Sequence, residues 1–257
     1  MDLAEGALLA AAAAAAGAVN SVAGGGTLIS FPALVHGAGM DLRLANATST
    51  VALWPGAWGA IGGYRRDLAG ARRLVLGLAA PSLLGGGLGA WLMVETGEAA
   101  FGRIVPWLIL FATVLFAASD RVAARFGSGG GAGDPRPGPG AILYQLLVAV
   151  YGGYFGAGIG ILMLALLGTL GMRDIHRMNG VKMVQGMLIN AVAIGVFSSQ
   201  GFVRWPEALL MAAAALAGGF GGATLSKRIP AGLVRGVVVA TGIVVSGVQF
   251  WKAYAGN

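Results

Sequence analysis

The sequence predicts an all-α polytopic membrane protein of two inverted repeats, each joining a short broken or re-entrant helix pair to three transmembrane helices. Three observations predict it. Of 257 residues, 57% are apolar and 11% charged, and the mean hydropathy of +0.78 lies outside the soluble range. The apolar residues fall into ten runs, five on each side of a Gly/Pro-rich break from Arg125 to Gly140 that can hold neither helix nor strand. Letters recur across the break as well as lengths: Gly24, Gly26, Gly39, Met40 and Asn46 return about 132 residues later as Gly156, Gly158, Gly171, Met172 and Asn179.

The first run, 4–20, follows acids where a secretory signal would carry bases, so it is expected to belong to the fold. The second, 27–38, is too short to cross a hydrocarbon core of about 30 Å, which takes about 20 helical residues, and reads as a broken or re-entrant helix. Runs 44–64, 74–94 and 101–119 complete the set, and 141–156, 159–171, 175–197, 206–225 and 232–252 repeat it in order. The chain therefore divides into a first repeat, 1–124, a cytoplasmic linker, 125–140, and a second repeat, 141–257. Gly and Ala throughout the runs allow the close backbone approach that drives helix association in lipid.

An odd number of runs per half means that the second half enters from the opposite side. The basic residues agree. Arg65, Arg66, Arg72 and Arg73 crowd one loop whose counterpart holds Arg204 alone, while Lys227, Arg228 and Arg235 oppose a first-half loop with Arg103, Glu95 and Glu98. With the Arg65 loop in the cytoplasm, twelve basic residues fall inside and four outside, and both termini are expected on the periplasmic side of a bacterial inner membrane. The net charge of +7 is thus a topology signal and does not point to nucleic acid.

Candidate site residues gather at the mirrored junctions Asn20 to Gly26 (NSVAGGG) and Gly152 to Gly160 (GGYFGAGIG). Irregular backbone at such depth must be buried in protein or line a cavity, and junctions of this kind hold substrates in transporters. Asn20 and Ser21 offer polar side chains there; Gly24, Gly25, Gly26, Gly156 and Gly158 offer backbone. Lys182, inside the run ending near Phe197, is the one basic residue assigned to neither side. It either snorkels to the interface on its long stem or supplies the positive charge of an anion site, with Asn179 and Gln185 on neighbouring turns. Thr48 and Ser49, in the NATST run from Asn46, could contact an oxyanion or bond back to their own helix. His36 and His176 lack metal spacing and neighbouring carboxylates, and the ten acids lie in loops or at run ends. No metal, cofactor or intramembrane carboxylate relay is expected. The tryptophans, among them Trp54, Trp58, Trp107, Trp205 and Trp251, mostly lie near run ends, as in an interfacial belt.

On these residues, Asn20 to Gly26 with Pro32, Ala45 to Ser49, and Gly156 to Gly160 followed by Asn179 and Lys182, the chain resembles the TauE/SafE family of bacterial sulfite exporters along nearly its whole length. The resemblance implies an inner-membrane permease exporting sulfite, sulfonates or similar organosulfur anions. It also marks a departure: the second junction lacks the Asn and Ser of the first, leaving Tyr151, Tyr154 or backbone to make polar contacts there. The expected partners are a small anionic substrate and the lipid bilayer, without nucleic acid; a homodimer is left open. The rivals are an intramembrane enzyme, for which no nucleophile with a base is evident, and a non-transporting membrane subunit or scaffold.

Overall fold

The structure, a computed structural model, describes residues 2–22, 25–68, 70–118, 135–225 and 231–255. Ten α-helices run through them: α1 (Leu3–Val22), α2 (Thr27–Pro32), α3 (Leu42–Leu68), α4 (Arg72–Glu95), α5 (Glu98–Ala117), α6 (Pro139–Tyr154), α7 (Ile159–Thr169), α8 (Ile175–Ser199), α9 (Trp205–Leu225) and α10 (Ala231–Phe250). A π-helical turn extends α2 over Ala33–Gly37, and another extends α10 over Trp251–Ala255. The ten expected runs are the ten helices, with ends displaced by a few residues. Most of the predicted linker lies outside the described residues, and the helix after it begins at Pro139.

Among the described residues, five helices are long and apolar enough to cross a membrane: Leu3–Ser21, Arg72–Glu95, Glu98–Ala117, Ile175–Ser199 and Gly236–Ala255. The short pair, Thr27–Gly37 and Ile159–Thr169, are apolar but fall below spanning length. Both stop in the same way. Gly39 (φ 60°) and Gly171 (φ 84°) take the left-handed conformation open to glycine, and the following amides turn back, Met40 N–H to the Leu34 carbonyl and Met172 N–H to that of Leu167.

The packing comes in exchangeable pairs. Helix α1 lies along α9 as α6 lies along α4; α3 packs on α9 as α8 packs on α4; α3 meets α8, and α5 meets α10. Glycines set the closest of these approaches. A Cβ on Gly218 would strike the Ala14 carbonyl, and one on Gly153 would strike that of Gly86, so backbone lies on backbone in both pairs. Between them the core is filled by fully buried Phe31, Phe101, Phe116, Phe155 and Phe197, with Phe31 edge-on to Phe155 at 5.5 Å. Leu84, Leu147, Leu209, Phe220 and Val244 face outward, an apolar surface suited to lipid.

Candidate functional site

A cavity of about 60 Å3 lies where the two junctions meet α3 and α8. Helix α8 lines it with Lys182, Met183, Gly186, Met187 and Asn190, a stripe at the four-residue spacing of one helix face. Helix α3 lines it with Thr50, Leu53 and Ala57. The first junction contributes Asn20 and Thr27, and the second Phe155, Gly156, Ile159 and Gly160. The lining itself is paired, since a shift of 133 residues carries Thr50, Leu53 and Ala57 onto Met183, Gly186 and Asn190.

Local structure explains how these groups are held. Past α6 the chain turns through Gly156 (φ 80°) and Gly158 (φ 78°), where a side chain would be strained. The Phe155 and Gly156 amides both return to the Tyr151 carbonyl, and the Tyr151 hydroxyl donates to the Ala157 carbonyl at 2.8 Å. The start of α8 is fixed by Asp174, whose Oδ1 accepts from the amides of His176 (2.9 Å) and Arg177 (3.3 Å). Asp41 does the same for α3, accepting from Arg43 (2.9 Å) and Leu44 (3.1 Å).

Lys182 dominates the electrostatics. Its side chain is 3% exposed, and its Nζ is buried without a hydrogen-bond partner. Among the described residues no carboxylate lines the cavity. Withdrawing an ammonium from water costs several kcal/mol, about, unless a counter-charge replaces the lost hydration. Beside it Asn20, Thr27 and Asn190 make no side-chain hydrogen bond to the rest of the described chain, so their donors are available to a guest. Thr50 differs: its hydroxyl donates to the Asn46 carbonyl at 3.0 Å and offers the cavity only lone pairs. The arrangement can take up one small anion.

Of the residues named from sequence, the structure brings Asn20, Gly156 and Lys182 to this cavity. The others go elsewhere. Ser21 donates to the Ala18 carbonyl at 2.8 Å, and Gly24 lies outside the described residues. Gly25 is covered by the Phe116 ring, and the Gly26 carbonyl accepts from Ile29 and Ser30 at the start of α2. Thr48 accepts from the Arg204 amide at 3.1 Å, while Ser49 and Ser30 share a hydrogen bond of 2.6 Å. Gly158 faces Ala112. Asn179 has a buried Oδ1 without a partner but does not line the cavity. Gln185 is committed twice, accepting from Ser82 at 2.8 Å and donating to the Val75 carbonyl at 2.9 Å.

The second junction's tyrosines are likewise used within the fold, Tyr154 donating to Thr96 at 3.2 Å. Trp54 is no belt residue, for its Nε1 donates to the Met187 carbonyl at 3.2 Å; Trp58, Trp107, Trp205 and Trp251 are exposed. Sequence reasoning reached Thr50 only as the last member of the NATST run, and it did not single out Thr27 or Asn190 as site residues. Asn190 had a readable signal, standing eight residues after Lys182 on the same helix face.

Comparison with known proteins adds an independent finding. The family model for sulfite exporter TauE/SafE matches residues 9–249. A Haemophilus influenzae (strain ATCC 51907 / DSM 11121 / KW20 / Rd) protein, described as "Probable membrane transporter protein", is 27% identical over 226 residues, covering 86% of this chain and 85% of its own. No solved structure matches the chain.

Proposed function

The chain belongs to the sulfite exporter TauE/SafE family, and on that footing we propose that this multi-pass membrane protein exports a small anion across the bacterial inner membrane. Sulfite is the first candidate, with a sulfonate or related organosulfur anion behind it. Membership of a family of membrane transporters also argues against an enzyme. The observation that carries the substrate charge is Lys182, a buried ammonium without a partner on a cavity that both junctions line. Cavity size narrows the class: about 60 Å3, against about 10–15 Å3 for one water, suits a compact oxyanion better than a sulfonate with a long tail.

The transport mode we propose is alternating access between two inverted repeats, with both termini periplasmic. Its support is the exchangeable packing, in which α1 on α9 mirrors α6 on α4 and the cavity walls correspond across the break. Rocking of one repeat against the other would then open the Lys182 cavity to each side in turn.

The test is flux of radiolabelled sulfite in proteoliposomes, with sulfate and taurine as competitors, for the wild type and Lys182→Ala. Saturable sulfite flux that a folded Lys182→Ala protein loses is the expected result. Equal flux in both proteins would return the lysine to a snorkelling role, and absence of flux for any anion would favour a non-transporting subunit.

A further inference from the structure

A second cavity, of about 530 Å3, opens between the α2–α3 turn, the start of α5 and the end of α10. Its volume lies within the range of small-molecule sites, roughly 300–1,000 Å3. It shares no lining residue with the Lys182 cavity and differs from it in kind, because its walls carry charges of both signs. Asp41, Glu98, Arg103 and Lys252 all stand on the lining, and no ion pair joins the acids to the bases.

Two features show that this lining is incomplete as it stands. The Glu98 carboxyl comes within hydrogen-bonding reach of Asp41. Asp41 spends Oδ1 on the helix cap, and its buried Oδ2 has no donor. Arg43 acts on Glu98 from beside this pair, and one cation against two carboxylates leaves repulsion that a second cationic group would relieve. The second feature is Gln249, 4% exposed, which lines the cavity and whose buried Nε2 has no acceptor. A buried amide N–H lacking a partner calls for an acceptor, and Lys252, one helical turn along, adds positive charge beside it.

We propose that this cavity is a second ligand site and that its ligand is a short zwitterion. The ligand's ammonium would lie against Asp41 and Glu98, and its acid group against Gln249 Nε2, Lys252 and Arg103. A simple anion gains the basic groups but meets both carboxylates; a simple cation meets the reverse. Only a molecule carrying both charges satisfies both the acids and the bases of the lining. The proposal is independent of what the Lys182 cavity carries.

Titration calorimetry on the purified full-length protein tests it, with glycine, β-alanine and 4-aminobutyrate as zwitterions of increasing length, and propionate and ethylammonium as single-charge controls. At least one zwitterion should bind saturably and at least about tenfold more tightly than either control. Glu98→Gln and Lys252→Met, both at exposed side chains, and Gln249→Leu should each weaken that binding by about tenfold or more, whereas Lys182→Ala should leave it unchanged. The proposal is overturned by any of three results: no saturable binding of a zwitterion, propionate binding as tightly as the zwitterions, or wild-type affinity in both the Glu98 and Lys252 variants. Thermal melting of each variant separates lost binding from lost fold.

Discussion

Ser49 and Lys182 stand in the same register, each eight residues after the aspartate that caps its helix, yet Ser49 spends its hydroxyl on Ser30 2.6 Å away while Lys182 Nζ has no partner. One half thus uses this position to tie α3 to α2, and the other leaves a bare ammonium on the cavity. If the charge is held for a ligand, removing it should help the empty protein and harm transport. Lys182→Met should therefore leave the melting temperature unchanged or raised while lowering saturable anion flux at least about tenfold. A variant that melts lower and transports normally would make the lysine structural.

Asn190, two turns along the same face, is expected to hold the anion through neutral hydrogen bonds. Asn190→Ala should raise the KM for sulfite by about tenfold, the scale of one hydrogen bond to a charged group, with stability little altered. Thr50→Val, by contrast, removes a proton already committed to the Asn46 carbonyl and should change KM far less. Equal effects from the two substitutions would argue against a directed site. Concentration-dependent flux in proteoliposomes reads both.

Gln185 ties α8 to α4, and the same Ser82 hydroxyl accepts from Gln145 of α6 at 2.8 Å. Gln185→Leu removes the second bond to the Val75 carbonyl and leaves the buried Ser82 hydroxyl without its acceptor, so it should cost about 1–3 kcal/mol of stability without shifting KM. Melting and flux measured on one preparation would distinguish this structural role from substrate contact.

The comparison of Gln185 with Lys182 shows what the sequence could carry. Helix placement was legible because each run announces itself by length and apolarity, and the junctions because glycines repeat in the same order. Both polar residues stand inside one apolar run, but only neighbours from other helices decide their fates. Ser82 and Val75, more than a hundred residues earlier, claim Gln185, and nothing claims Lys182. Ser49 and Thr50 carry the same lesson, since a hydroxyl run on α3 does not say which members turn to Ser30 and which to the cavity. Asn190 was missed for another reason: it was a matter of spacing from Lys182, readable but unread.

The glycine contacts give the last prediction. Gly153 presses on the Gly86 backbone between α6 and α4, and Gly218 presses on that of Ala14 between α9 and α1. A methyl at either place has only main chain to push against, and main chain cannot rotate aside as a side chain can. Gly153→Ala and Gly218→Ala should each destabilise by about 1–3 kcal/mol, and by similar amounts because the two helix pairs are counterparts. Gly195, within α8, has open space where its Cβ would sit. Gly195→Ala removes chain entropy without a clash and should stabilise by about 0.5–1 kcal/mol. Thermal melting of the three variants in one detergent tests the ordering, and a Gly153→Ala protein as stable as Gly195→Ala would show that α4 and α6 do not pack backbone to backbone.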